Sequence, residues 1–100
     1  MNIIVKPYLV LRQVTGCSRV VIKLPPGATL QDLLGKLRES KRLPDKISLG
    51  SASLELFTND HPGRDLLILI DGVAIDRMKG LHTVLWEGAV ISIFPPAAGG

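Results

Sequence analysis

Four leucines limit what this chain can fold into. Leu30, Leu33, Leu34 and Leu37 recur at i, i+3, i+4 and i+7, which places them on one stripe of one helix. Thr29 is positioned to cap that helix, and Asp32 three residues later completes an acidic variant of the capping box. Gly35 falls inside the helix but off the stripe, and it weakens the helix by about 1 kcal/mol relative to Ala. The spacing predicts an end near Ser40, ahead of Leu43 and Pro44. A lone amphipathic helix has to lay its stripe on something, and the rest of the chain reads as strands.

Ile3, Val5, Leu9 and Leu11 alternate with more polar neighbours, which predicts a strand over residues 2–12. Residues 14–18 read as a turn. Val20, Ile22 and Leu24 then share one face against Arg19, Val21 and Lys23, so a second strand completes an N-terminal β-hairpin. Pro25, Pro26 and Gly27 stop it. Residues 42–64 carry a weak signal, with loop residues Gly50, Ser51, Ser53, Asn59, Pro62 and Gly63 and a short strand or helical turn over 53–57. A compact domain rarely holds so long a structureless loop, so local order or mobility is expected there. Residues 66–70 are continuously apolar, as in a strand buried on both faces. Asp71-Gly72 favours a tight type I′ turn into a short return strand over 73–75. Gly80-Leu81 and Glu87-Gly88 mark turns, and residues 89–94 form the last strand, closed by Pro95-Pro96.

That order predicts an α+β fold of the β-grasp, or ubiquitin-like, kind. A mixed sheet packs on one main helix, the first and last strands lie side by side, and the chain leaves as a free C-terminal tail. Residues 1–94 form one domain and 95–100 the tail.

With 46% apolar residues and only four aromatics in 100, the core has to be built from Leu, Ile and Val. The formal charge is +3, with its densest cations at Lys36, Arg38, Lys41, Arg42 and Lys46. Cations there suit the C-terminal dipole of the helix, or serve as a docking patch for an acidic partner. No aromatic residues interleave with them, which argues against nucleic acid. Cys17 stands alone, so an internal disulfide is excluded and a reducing compartment fits. Lys6 and Pro7 interrupt the first apolar run, no stretch approaches ~20 apolar residues, and a cytoplasmic location is expected without membrane insertion.

Catalytic equipment is nearly absent. His61 and His82 have no Cys or carboxylate pair at ligand spacing, so no metal site is expected. Neither a phosphate-binding G-x-x-x-x-G-K-[ST] loop nor a G-x-S-x-G elbow occurs, so no cofactor is expected to bind. Cys17 reads as an unreactive thiol in a turn.

The chain ends Phe94-Pro95-Pro96-Ala97-Ala98-Gly99-Gly100. Its terminal carboxyl is ionised at neutral pH and is a poor acyl donor until activated. Attack on the α-phosphate of ATP would give an acyl-adenylate open to sulfur or amine nucleophiles. Glycine has no Cβ, so it threads a narrow channel and leaves its carbonyl unhindered. Pro95-Pro96 favours extended backbone, and residues 95–100 reach ~20 Å, enough to enter another protein's active site.

Together with residues 80–88 and 90–94, this ending resembles that of MoaD-type proteins, the small subunits of molybdopterin synthase within the MoaD/ThiS ubiquitin-like family. Val14-Thr15-Gly16 and residues 24–30 resemble the same family's hairpin turn and helix start. Where family members often carry Asp, in Gly-Leu-Asp-Thr and Asp-Gly-Asp, this chain has His82, Glu87 and Ala89. The resemblance implies a cycle. A MoeB/ThiF-like enzyme consumes ATP to adenylate Gly100, a persulfide donor supplies sulfur, and a MoaE-like large subunit accepts the thiocarboxylate to form molybdopterin from cyclic pyranopterin monophosphate. The catalytic side chains belong to those partners. Sulfur transfer to tRNA or thiamine thiazole, isopeptide modification of lysines, and a plain interaction module with an inert tail are the competing readings.

The sheet face away from the helix is read either as a docking surface or as a few scattered surface apolars. Ile4, Tyr8, Val10 and Val21 would lie there, with Phe94 beside the tail.

Overall fold

The computed structural model describes residues 1–49, 51–58, 61–63 and 66–95. Strand β1 (Asn2–Pro7) is followed by a short helix α1 (Val10–Thr15), strand β2 (Val20–Lys23) and the main helix α2 (Leu30–Glu39). Two small hairpins come next, β3 (Lys46–Leu49) with β4 (Ala52–Glu55), and β5 (Phe57–Thr58) with β6 (His61–Pro62). Strands β7 (Leu67–Ile70) and β8 (Val73–Ala74) lead through 3-10 turns at Ile75–Arg77 and Gly80–His82 to the final strand β9 (Val90–Phe94).

Five strands form one sheet in the order β2-β1-β9-β7-β8. β1 and β9 are parallel, and every other pair is antiparallel. The first and last strands are therefore neighbours in a mixed sheet, with α2 against one face: a β-grasp, ubiquitin-like fold. Ile3 and Val5, Val20 and Ile22, Ile68 and Ile70, and Ile91 and Ile93 point to the helix side and join Leu30, Leu33, Leu34 and Leu37 in one buried cluster.

α2 forms for the reasons its sequence gives. The Asp32 N–H donates to Thr29 Oγ1 at 3.3 Å, and the Thr29 N–H donates to Asp32 Oδ2 at 2.9 Å, closing the capping box. All four stripe leucines are buried, and Leu33 is wholly so. Leu33→Ala is expected to cost 2–5 kcal/mol, the usual range for a core leucine. Urea unfolding should show a lower midpoint at unchanged slope.

The first strand is shorter than its alternation predicts. Pro7 supplies no N–H, and the chain turns at Leu9, whose φ of 55° and ψ of −130° belong to the first central position of a type II′ turn. The Leu11 N–H closes that turn onto the Tyr8 carbonyl at 3.1 Å. Residues 10–15 are helical, not extended, and Gly16 ends them in the left-handed conformation at φ 78°. Val10 and Val14 stand one helical turn apart, a spacing that so short a helix cannot display above the competing alternation. β1 and β2 still pair, with Ile3 opposite Ile22 and Val5 opposite Val20, but a helical connection joins them in place of a tight hairpin turn.

Two further expectations shift, and over residues 42–64 local order is what the chain forms. The run at 66–70 is buried on one face only, with Ile68 and Ile70 inside and Leu67 exposed. The return strand stops at Ala74, because Ile75 starts a 3-10 turn. Residues 42–64 hold the two hairpins, through which Leu43, Ile47, Leu56 and Phe57 reach the core. At Gly63 a Cβ would stand 2.6 Å from the Glu55 carbonyl oxygen, so only glycine allows that approach.

Asp71-Gly72 makes the expected turn, with φ of 48° and 84° at the two positions. The Asp71 carboxylate also braces the sheet. It accepts the Trp86 Nε1–H at 2.9 Å and the Val90 N–H at 2.9 Å. Asp71→Ala is expected to lower stability by about 1–2 kcal/mol, since two hydrogen bonds to a charged acceptor are lost at an exposed site. Asp71→Asn should lose less, because Asn keeps an acceptor and tolerates the turn. Thermal unfolding of both variants checks the order.

Candidate functional site

The sheet face away from α2 is set by register. β1 turns Asn2, Ile4 and Lys6 outward, β2 turns Val21 and Lys23, β9 turns Val90, Ser92 and Phe94, β7 turns Leu67 and Leu69, and β8 turns Ala74. Three rows cross this face. Val21, Ile4 and Val90 form the first, and Lys6, Ser92, Leu69 and Ala74 the second. In the third, Phe94 is paired with Leu67, and the Tyr8 ring stacks on Phe94 with centroids 4.4 Å apart and planes 9° from parallel. The Arg12 guanidinium lies 5.6 Å from the Tyr8 ring centroid. No outward strand position carries a carboxylate, while Lys6 and Lys23 are both there. The face is thus apolar with a basic fringe.

Of the residues read from the sequence, Ile4, Tyr8, Val21 and Phe94 come together on this face. Val10 does not, because it sits in α1 and packs against the core. Leu67, Leu69 and Val90 belong to the face and were not expected on it. Their signal was the register of β7 and β9, which an unbroken apolar run conceals. Pro95 is buried at the end of β9. Pro96, Ala97, Ala98, Gly99 and Gly100 lie outside the described residues.

The segment before β9 is a brace. Thr83 is buried, donates its hydroxyl to the Gly80 carbonyl at 2.8 Å and accepts the Lys79 N–H at 3.1 Å. The Leu30 N–H donates to the Thr83 carbonyl at 3.0 Å, tying this segment to the first turn of α2. Glu87 accepts the Asn2 N–H at 2.8 Å, which fixes the start of β1.

Other candidates hold no chemical constellation. Among the described residues no group of three or more His, Cys, Asp or Glu lies together, and no helix is long and apolar enough to cross a membrane. Cys17 is half-buried, with its Sγ 3.8 Å from the Thr15 carbonyl oxygen. In the basic stretch, Arg38 Nη2 pairs with Asp45 at 2.9 Å and its guanidinium stands over Phe57 at 4.9 Å, while Lys46 pairs with Glu55 at 3.8 Å. The Arg38 contacts tie α2 to Asp45 and to Phe57 of β5, and the Lys46 pair bridges β3 and β4, so both cations have a structural use.

The sequence matches the ThiS family over residues 9–100. The chain belongs to the ThiS family. Its fold is that of the ubiquitin-like sulfur carriers and modifiers. The SAMP1 structure from Haloferax volcanii is similar at TM-score 0.75 and 22% identity, covering 100% of both chains. A putative molybdopterin converting factor, subunit 1, from Pyrococcus furiosus is similar at TM-score 0.68 and 23% identity, covering 97% of this chain and 99% of that one. A chain of the BexX/CysO complex of Amycolatopsis orientalis is similar at TM-score 0.67 and 19% identity, covering 98% and 99%. No curated protein is similar enough in sequence to count as a match. The central strand of the sheet, β9, carries the chain toward its glycine ending and does so at the border of the apolar face.

Proposed function

We propose that this protein is a cytoplasmic sulfur carrier whose reactive group is the Gly100 carboxylate, and that it serves as the small subunit of molybdopterin synthase. In this reading a carboxylate oxygen of Gly100 attacks the α-phosphate of ATP in a MoeB/ThiF-like enzyme and pyrophosphate leaves. A persulfide sulfur attacks the acyl carbon and AMP leaves. A thiolate then cleaves the sulfur–sulfur bond of the acyl disulfide, releasing the thiocarboxylate. A MoaE-like subunit takes the tail and delivers the sulfur to cyclic pyranopterin monophosphate. The chain's own residues supply the tail and the docking face, and the catalytic side chains are the partners'.

The observation that carries the reading is the position of β9. It lies at the centre of the sheet, Phe94 at its end stacks on Tyr8 in the apolar face, and the described chain ends at Pro95 beside that face, which supports the reading. A partner that seats on that face has the tail at hand. The Phe-Pro-Pro-x-x-Gly-Gly ending favours the molybdopterin assignment among the acceptors.

The test is pyrophosphate exchange into ATP by a MoeB-type enzyme with this chain as the only acyl donor. Exchange that depends on the chain is expected. Its absence, with an enzyme active on another carrier, contradicts the reading. Higher-mass protein ladders that depend on Gly100 would assign a modifier role in place of the molybdopterin one.

A further inference from the structure

Leu9 is the most exposed large apolar residue described, at 70%, and it stands in a backbone conformation that favours glycine. Folding does not account for a leucine there. Its side chain is mostly in water, so little burial offsets the strain, and glycine would close the same turn with less. Strain held at an exposed position points to a use outside the fold.

Its surroundings indicate the use. The Tyr8 N–H donates to the Ile93 carbonyl at 3.0 Å, so Leu9 is fixed next to the last residues of β9. Five residues follow Pro95, and five residues span at most ~17 Å. A protein that holds Gly100 in its active site must therefore press its surface against this end of the sheet. Lys6 on the apolar face and Arg12 over the Tyr8 ring set the charge that such a surface meets.

Resting on the sulfur-carrier reading, we propose that Leu9 is a preset anchor that inserts into an apolar recess on the adenylating enzyme, a recess bordered by carboxylates that face Lys6 and Arg12. The type II′ turn holds the side chain outward before the encounter, so little ordering is left for binding. An exposed leucine buried whole in a recess removes its apolar side chain from water, and that transfer favours binding.

The experiment compares full-length Leu9→Gly, Leu9→Asn and Leu9→Met with the parent chain, using thermal unfolding and steady-state adenylation by the MoeB-type enzyme of the exchange assay. Leu9→Gly is expected to unfold about 4 °C higher, as the strain is released. It is also expected to raise the KM for the carrier about tenfold or more with kcat little changed. Leu9→Asn, which tolerates the turn but has no apolar reach, should show the same KM effect. Leu9→Met should keep a KM near that of the parent. A fall in unfolding temperature for Leu9→Gly, or an unchanged KM in Leu9→Gly and Leu9→Asn, overturns the anchor while leaving the carrier reading intact. A parent chain that is never adenylated overturns the carrier reading itself.

Discussion

Deletion of Gly99 and Gly100 is expected to abolish pyrophosphate exchange and thiocarboxylate formation, a loss of at least three orders of magnitude, with no loss of fold. The magnitude follows from the chemistry. The deletion leaves Ala98 as the terminal carboxylate, two residues short, and a shift of even ~1 Å at a reacting atom costs on the order of a hundredfold. A retraction of two residues is up to ~7 Å. The methyl group of Ala98 also crowds the carbonyl that a channel fitted to glycine must accept. Stability should be unaffected, because the described core ends at Ile93 and Pro95. Urea unfolding alongside the exchange assay separates the two effects. An inert-tail interaction module would keep its function after this deletion.

The second large effect is at the docking face. Phe94→Asp is expected to raise the KM for the adenylating enzyme by roughly 30-fold or more, since a charge within an apolar contact removes a hot-spot interaction of about 2 kcal/mol and adds a desolvation penalty. Tyr8→Asp should act in the same way through the loss of the stacked pair. Both side chains lie on the outer face, so the helix-side core is untouched and the variants should fold. Ser92, one row away, is the control, and Ser92→Ala should bind like the parent chain. If folded Phe94→Asp and Tyr8→Asp are adenylated with unchanged KM, the partner docks elsewhere.

The parts of the fold that the sequence makes legible are those where one physical requirement dominates. The leucine stripe reads as α2 because four large side chains at helical spacing leave no other way to reach one core. Asp71-Gly72 reads as a turn because two consecutive positive φ values suit few residue pairs. α1 is hidden because Leu9 and Leu11 continue the alternation of β1, and only Pro7 and the turn at Leu9 break it. Residues 42–64 are hidden because β3–β4 and β5–β6 are held by local pairing and by Arg38 with Asp45 rather than by a clear apolar period.

The same division holds for the candidate site. Ile4 and Val21 are legible from alternation in β1 and β2, Tyr8 from the same alternation carried past the end of β1, and Phe94 from its place beside the tail. Leu67 and Leu69 are not, since an unbroken apolar run does not say which residues face the helix, and only pairing with β9 decides it. The strain at Leu9 has no sequence signature at all, because it is a property of the backbone path between Pro7 and α1.

The central claim is that Gly100 carries sulfur. The most direct measurement is the intact mass of the chain after incubation with ATP, a MoeB-type enzyme and a persulfide donor with thiol reductant. The account predicts a gain equal to one oxygen replaced by one sulfur, confined by fragmentation to Gly100 and absent from the Gly99 and Gly100 deletion. An unchanged mass, with an enzyme that thiocarboxylates another carrier under the same conditions, or a gain located at Cys17, would contradict it.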